Sequence, residues 1–176
     1  DVATFPDYPA EIRAPTGTLA GVSGYQLHFS SSEIFTPGDE VDVLVAMNPA
    51  ALAKNLPFLR EDGILIVNSD AFTSKWLKMA GFETNPLDPD DTTLECYQVF
   101  PVDLTRLTRD ALADTDLSTK DVDRCKNFFA LGLMCWLYER DLSVLIEEVE
   151  TQFRKKPRYA SANLTVLKSG YNYGEN

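Results

Sequence analysis

The segment Tyr8-Pro9-Ala10-Glu11-Ile12-Arg13 places an aromatic ring, a carboxylate and a guanidinium close together in the chain. Arginine binds carboxylate and phosphate groups through two parallel hydrogen bonds, which makes Arg13 a candidate contact for an anionic ligand. A surface ion pair between Glu11 and Arg13, of little energetic value, explains the same residues. From the residues alone both interpretations stay open.

Two asparagines stand where apolar runs end: Asn48 follows residues 41–47 and Asn68 follows residues 63–67. In open parallel sheets, ligands bind beyond the carboxyl ends of the strands and next to helix N-termini. Both amides are therefore candidate ligand contacts. N-capping of the next helix is the more common role of such a residue, and Pro49 favours it at Asn48.

The chain offers no workable catalytic group or metal site. His28 is its single histidine and lies between Leu27 and Phe29 in an alternating, strand-like stretch, so we assign no triad and no catalytic residue. The three cysteines lack zinc or iron–sulfur spacing, and we interpret them as partly buried thiols in helices and a strand. Their odd number, without a disulfide framework, indicates a reducing compartment and hence the cytoplasm.

Charge and hydropathy exclude several classes of partner. With 16 Lys+Arg against 27 Asp+Glu, the net charge of −11 argues against nucleic acid and anionic membranes. No apolar run reaches the roughly 18 residues that span a bilayer, and no signal peptide is visible. The basic cluster at residues 154–158 is typical of a helix C-terminus, with a phosphate-bearing ligand or an acidic partner surface as alternatives.

Strand and helix patterns alternate in the first half of the chain. Nearly continuous apolar runs at 41–47 and 63–68 predict buried parallel strands, and residues 95–102 predict a further one. Helices are expected at 50–59 and at 71–79, the second capped by Ser69 or Asp70 and ended by Gly81. Residues 25–29 predict a strand, whereas residues 1–24, rich in proline and glycine, are expected to be irregular.

The second half is expected to be helical, and the pattern predicts helices at 105–113, 121–139, 144–153 and 159–168, followed by a turn-like tail. Alternating strands and helices indicate an α/β fold with right-handed crossovers. We predict one domain over residues 1–176, a three-layer Rossmann-like domain with a mostly parallel sheet and a helical C-terminal portion. The glycines at 17, 21 and 24 precede a strand, so they do not form a dinucleotide-binding fingerprint and are expected in a close-packed loop.

Four stretches, in order, resemble the gamma domain of 2-oxoacid:ferredoxin oxidoreductases, most closely the 2-oxoglutarate branch in which this domain is fused ahead of the alpha domain. They are residues 4–17, 42–49, 127–133 and the tail with Lys155-Lys156-Pro157, Asn163 and residues 170–175. Ala14-Pro15 and residues 21–24 carry the likeness to the 2-oxoglutarate branch. The family domain begins with a glycine-rich strand–loop–helix that is missing here, so the resemblance implies truncation at the N-terminus.

The resemblance implies an enzyme that decarboxylates a 2-oxoacid oxidatively to its acyl-CoA and passes the electrons to ferredoxin. Thiamine diphosphate, Mg²⁺ and an iron–sulfur cluster are implied to belong to the alpha and beta subunits or domains. This chain alone is then expected to bind no cofactor and to be inactive. A role on the CoA and substrate side is carried over to Arg13, with Glu11 and Tyr8 as further candidates, and Asn48 joins them from its strand-end position.

Two other functions stay open. One is a non-catalytic assembly domain that holds the thiamine-binding subunits together, which exposed apolar surface on the C-terminal helices would favour. The other is a free-standing nucleotide-binding protein, which tight binding of a dinucleotide would support.

Overall fold

The computed structural model describes residues 2–8 and 14–176. The chain divides into two compact units, Asp1–Val102 and Asp103–Asn176. The described strands all lie in the first unit, and the second is helical.

The first unit begins with an antiparallel hairpin of β1 (Val2–Asp7) and β2 (Gly24–Phe29). The strand expected at residues 25–29 is confirmed. The irregular structure expected for residues 1–24 is wrong at residues 2–7, where Pro6 is accommodated because an edge strand need not donate at every residue. The proline and glycine content therefore did not predict the secondary structure of residues 2–7.

A three-stranded parallel sheet follows in the order β3 (Val41–Ala46), β4 (Leu59–Asn68) and β5 (Gln98–Val102). Helix α1 (Pro49–Asn55) connects β3 to β4, and α2 (Ser74–Met79) lies between β4 and β5. This arrangement confirms the α/β class, the parallel sheet and the three expected strands. Each strand ends at the same edge of the sheet, as parallel pairing requires.

The core of the first unit lies on one face of this sheet. Leu65 and Val67 of β4 are fully buried and cluster with Leu52 of α1 and Leu77 of α2. Ile66, on the opposite face of β4, is also buried. Burial on both faces explains why the strand is a continuous apolar run, and each such side chain contributes about 1.5–3 kcal/mol.

Helix boundaries in the first unit differ from expectation. Helix α1 ends at Asn55 and continues as a 3₁₀ turn, Leu56–Phe58, since Pro57 has no N–H to donate. The expected start of α2 at residue 71 and its expected cap at Ser69 or Asp70 are both wrong, because Ser69–Ala71 forms a separate 3₁₀ turn and Thr73 precedes α2. Its expected end is confirmed: Gly81 has φ 87°, and the Phe82 N–H donates to the Leu77 carbonyl at 3.0 Å.

The second unit consists of α3 (Leu104–Ala111), α4 (Thr119–Arg124), α5 (Lys126–Leu137), α6 (Ser143–Gln152) and α7 (Pro157–Glu175). The single helix expected over 121–139 is wrong, because the chain tightens into 3₁₀-type hydrogen bonds around Cys125. The expected turn-like tail is also wrong, since α7 runs through it. No helix of the described chain is both long and apolar enough to cross a membrane.

Helices α5 and α7 touch through their backbones. A Cβ on Gly132 would overlap the carbonyl oxygen of Leu167, and one on Gly170 would overlap that of Phe129. The tail glycines therefore serve close helix packing rather than a turn, and the Tyr173 ring lies 5.8 Å from the Phe129 ring. Tertiary packing extends α7 where local sequence indicates a turn.

Candidate functional site

The loop joining β1 to β2, residues 8–23, contains Tyr8, Glu11 and Arg13. Asp7 lies opposite Gly24 at the base of this loop. The Lys54 ammonium of α1 lies 2.5 Å from an Asp7 carboxylate oxygen, which ties the first end of the loop to α1. The two residues are 47 positions apart, so no local sequence signal could have revealed this contact.

The second end of the loop packs on both helices of the sheet unit. Val22 is buried against Ala50 of α1 and Ala80 at the end of α2. Gly17, with φ 87°, lies against the Trp76 ring, where any Cβ would overlap the indole. This confirms the expectation of a close-packed loop, and α1 and α2 together hold residues 14–22 in place.

Two of the four predicted ligand contacts, Glu11 and Arg13, lie outside the described residues, and their roles stay predictions. Tyr8 is 76% exposed at the start of the loop, so its ring is accessible to a ligand or to another protein surface. Asn48 is half-buried, and its Oδ1 accepts a hydrogen bond from the Ala51 N–H at 2.9 Å. The capping role of Asn48 is therefore confirmed, while its contact with a ligand stays a prediction.

Asn68 performs a different task from Asn48. Its side chain is buried, and its amide donates to the Met47 carbonyl at 3.3 Å. It makes no capping hydrogen bond to the 3₁₀ turn that follows. Asn68 thus links the ends of β3 and β4, which fixes the position of the loop that carries Asn48.

An open groove of about 550 Å³ lies beside β5, lined by Ser69, Phe72, Asn85, Pro86, Leu87, Asp91, Leu94, Glu95, Val99 and Pro101. Hydrogen bonds from Thr93 and Thr84 lower the pKa of Asp91, so this carboxyl is ionised at neutral pH. The described lining includes the carboxylates Asp91 and Glu95 and no lysine or arginine. Two carboxylates repel anions, so the described lining of this groove disfavours an anionic ligand.

The cysteines and the histidine hold structural positions. Burial raises the pKa of the Cys125 and Cys135 thiols, which disfavours the thiolate needed for a metal bond. Cys96 is exposed in a turn and Cys125 lies between two helices, so the expected helix-or-strand placement is wrong for both and the expected partial burial is wrong for Cys96. The described residues hold no group of three metal-binding side chains, and these donors do not fit an iron–sulfur cluster. His28, in β2, has its Nδ1 3.3 Å from the carbonyl of Thr36, which lies in the segment after this strand.

The basic cluster at residues 154–158 is exposed, and it runs from the segment after α6 into the first turn of α7. Its guanidinium at Arg158 lies 3.3 Å from the Asp116 carboxylate, and the Lys156 ammonium lies 5.8 Å from the centre of the Tyr159 ring. The last turn of α6 contains no basic residue, because the cluster begins just beyond it. Local contacts of α7 therefore account for two of these cations better than the dipole of α6 does.

Comparison with known proteins assigns the sequence to a family. Residues 1–173 match the family described as pyruvate ferredoxin/flavodoxin oxidoreductase. The 2-oxoglutarate oxidoreductase subunit KorA of Mycobacterium tuberculosis is 49% identical over 175 residues. The match covers 99% of this chain and 26% of KorA, so the chain spans about a quarter of that curated relative.

Two solved structures share the fold. A 2-oxoglutarate:ferredoxin oxidoreductase from Magnetococcus marinus, with 2-oxoglutarate, coenzyme A and succinyl-CoA bound, matches with a TM-score of 0.66 at 21% identity, covering 99% of this chain and 26% of that chain. The gamma subunit of a keto/oxoacid ferredoxin oxidoreductase from Geobacter sulfurreducens PCA matches with a TM-score of 0.59 at 17% identity, covering 99% and 80%. At these identities the likeness shows the fold alone.

Proposed function

This chain belongs to the pyruvate ferredoxin/flavodoxin oxidoreductase family, and we propose that it is the gamma-type domain of a 2-oxoglutarate:ferredoxin oxidoreductase. The 49% identity with KorA, across nearly the whole chain, carries this proposal. The complete enzyme would decarboxylate 2-oxoglutarate oxidatively, form its CoA thioester and pass the electrons to ferredoxin. Because the chain spans a quarter of its relative, this activity would belong to the assembled enzyme and not to this chain alone. The enzyme would act in the cytoplasm.

Within that enzyme, the loop of residues 8–23 would face the CoA and substrate side. Both ligands are anionic, and the loop carries Arg13, the residue best suited to bind a carboxylate or phosphate. Two peptide units separate Arg13 from Pro15, which limits the distance between their Cα atoms to about 7 Å. Pro15 in turn accepts a hydrogen bond from Thr18 at 2.7 Å within the part of the loop that α1 and α2 hold.

The other cofactors would be supplied by the rest of the assembly. Thiamine diphosphate with Mg²⁺ and an iron–sulfur cluster would be held by the alpha and beta portions. The side chains of this chain support that division, since two thiols are buried with raised pKa values and the described residues hold no group of three metal-binding side chains. The contribution of this domain would be to bind and position the anionic ligands.

Replacement of Arg13 in the assembled enzyme tests this role. A charge-assisted hydrogen bond contributes about 1.5–3 kcal/mol, so Arg13→Ala should raise the KM for CoA or 2-oxoglutarate roughly 10- to 150-fold. Arg13→Lys should restore part of the affinity, because it keeps the charge but loses the two-pronged geometry.

Arg60→Ala is the matched control, since the Arg60 guanidinium pairs with Asp42 at 2.7 Å on the exposed surface. Its kinetic constants should equal those of the unaltered enzyme. If the Arg13→Ala enzyme kept the unaltered KM values for both ligands, Arg13 would not contribute to binding either of them.

The assembly function remains the second candidate, and one observation favours it. Large apolar side chains of the helical unit are exposed, namely Trp136, Tyr138, Val144 and Tyr173. If this were the whole role of the domain, substitutions of Arg13 and Asn48 would leave both KM values unchanged. Val144→Asp, at a side chain that is 67% exposed, would instead weaken the complex in analytical ultracentrifugation.

A further inference from the structure

One face of the hairpin formed by β1 and β2, called here the outer face, is apolar and exposed. The register sets Leu27 opposite Thr4 and Tyr25 opposite Pro6, and directly opposed side chains lie on the same side of a sheet. Tyr25 is 67% exposed and Leu27 is 47% exposed. The outer face thus comprises Val2, Thr4 and Pro6 of β1 with Tyr25, Leu27 and Phe29 of β2.

The opposite face of the hairpin carries Ala3 and Phe5 of β1 beside Gln26 and His28 of β2, and it contacts the chain itself. The Gln26 side chain donates to the Pro37 carbonyl at 2.8 Å, and His28 Nδ1 lies 3.3 Å from the Thr36 carbonyl. An antiparallel sheet with one solvated face normally directs its apolar side inward and its polar side to water. Here both faces carry apolar side chains, and those of the outer face are exposed, as on a surface that another protein covers.

A two-stranded hairpin is only marginally stable by itself and gains stability when a face packs on something else. Contiguous apolar surface of this kind is typical of protein–protein contacts. The Lys54–Asp7 ion pair and the packing of Val22 fix one end of the hairpin but leave the outer face open. The described residues therefore do not supply the burial that would stabilise the outer face.

We propose that the outer face docks on an apolar surface of the remaining three quarters of the oxidoreductase. The same fold makes up 80% of a separate gamma subunit and 26% of a longer chain. A domain that occurs both as a subunit and as part of a fused chain must be held by surface contacts, because a linker is not always present. The proposal rests on the function proposed above.

A second copy of this chain is a poorer occupant of the outer face. Each copy has a net charge of −11, and two such copies repel one another. Self-association through the hairpin would have to overcome this repulsion. It is therefore an outcome that the test must distinguish.

Photo-cross-linking in the complete enzyme identifies the occupant. p-Benzoylphenylalanine in place of Tyr25 keeps an aromatic ring on the outer face, and mass spectrometry locates its cross-links. We expect links to residues outside 1–176. The control places the same group at Phe58, an aromatic residue of the first unit that is 53% exposed, and should give at least a tenfold lower yield. Equal yields, links to a second copy, or no links at Tyr25 would overturn the proposal.

A substitution gives an independent measurement. Leu27→Asp places a charge on the exposed face, where the fold of this chain tolerates it, and should dissociate or inactivate the enzyme at least tenfold faster on dilution. Leu27→Met should behave like the unaltered enzyme. Unchanged dissociation in Leu27→Asp would contradict the docking role.

Activity assays separate the two proposals. An enzyme that is active with 2-oxoglutarate but shows no cross-link at Tyr25 refutes the docking surface alone. A cross-link in an enzyme that does not oxidise 2-oxoglutarate refutes the proposed substrate and supports the docking surface.

Discussion

At the scale of single residues, position relative to the strands and helices distinguishes the roles of the two asparagines. Asn48 and Asn68 both end an apolar run, and sequence patterns treat them alike. The structure separates them, because Asn48 caps α1 through Ala51 whereas Asn68 is buried and links two strands. The Asn-Pro pair made the cap at Asn48 predictable. The hydrogen bond from Asn68 to Met47 was not predictable, because it joins residues 21 positions apart.

Asn48→Asp distinguishes capping from ligand contact. Aspartate caps helices as well as asparagine, so the free energy of unfolding should change by less than about 0.5 kcal/mol. If Asn48 also faces an anionic ligand, the new carboxylate should raise the KM for CoA or 2-oxoglutarate about tenfold, equivalent to about 1.4 kcal/mol. Steady-state kinetics and urea unfolding measure the two effects.

The control for this experiment is Asn48→Ala, which removes the cap and should lower the free energy of unfolding by about 0.5–2 kcal/mol. An aspartate variant with unchanged KM values would leave Asn48 with its capping role only.

At the scale of elements, the strands of the parallel sheet were better predicted than the helix ends. The apolar runs of β3 and β4 are local signals, since burial on both faces needs a continuous stretch. Helix ends depend on distant contacts: α7 continues to Glu175 because Gly170 packs on the backbone of α5. The same glycine, seen in sequence, indicates a turn.

Gly132→Ala tests the close contact between α5 and α7. Alanine is a better helix former than glycine by about 1 kcal/mol, so an isolated helix would become more stable. In the folded chain, the new Cβ would overlap the Leu167 carbonyl and lie 2.9 Å from the Tyr171 nitrogen. Overpacking of this kind costs about 1–3 kcal/mol, so thermal and urea unfolding should show a net loss of stability.

Gly24→Ala is the control for this substitution. A Cβ at that position would lie 3.7 Å from the Asp7 Cβ, an ordinary contact, so stability should be nearly unchanged. If the Gly132→Ala variant were as stable as the unaltered chain, α5 and α7 could move apart without a loss of stability.

At the scale of the whole molecule, acidity has consequences for stability. Hydrogen bonds lower the pKa values of Asp91, Asp121, Asp123 and Asp141, with partners Thr93, Ser118, Arg109 and Ser143 respectively. A carboxyl with a lowered pKa stabilises the folded state above its unfolded pKa of about 3.9. That contribution disappears as the pH falls through the folded pKa.

The free energy of unfolding should therefore stay nearly constant from neutral pH to about 5 and fall below about 4. Asp123→Asn removes the ion pair in which Arg109 Nε lies 2.7 Å from Asp123 Oδ1. For such a partly exposed pair we expect a loss of roughly 0.5–1 kcal/mol at pH 7. Urea titrations between pH 2 and 7 should show that the loss vanishes at the acidic end, and a loss independent of pH would contradict the assignment.

The sequence by itself determined the α/β class, the parallel strands, the cap at Asn48 and the family, because each depends on residue types within a short stretch. Tertiary structure decided which surfaces are available. It paired Asp7 with Lys54, packed Val22 on Ala50 and Ala80, and left Tyr25 and Leu27 of the hairpin exposed. These features arise from contacts between residues far apart in the chain, where packing and burial outweigh local preference.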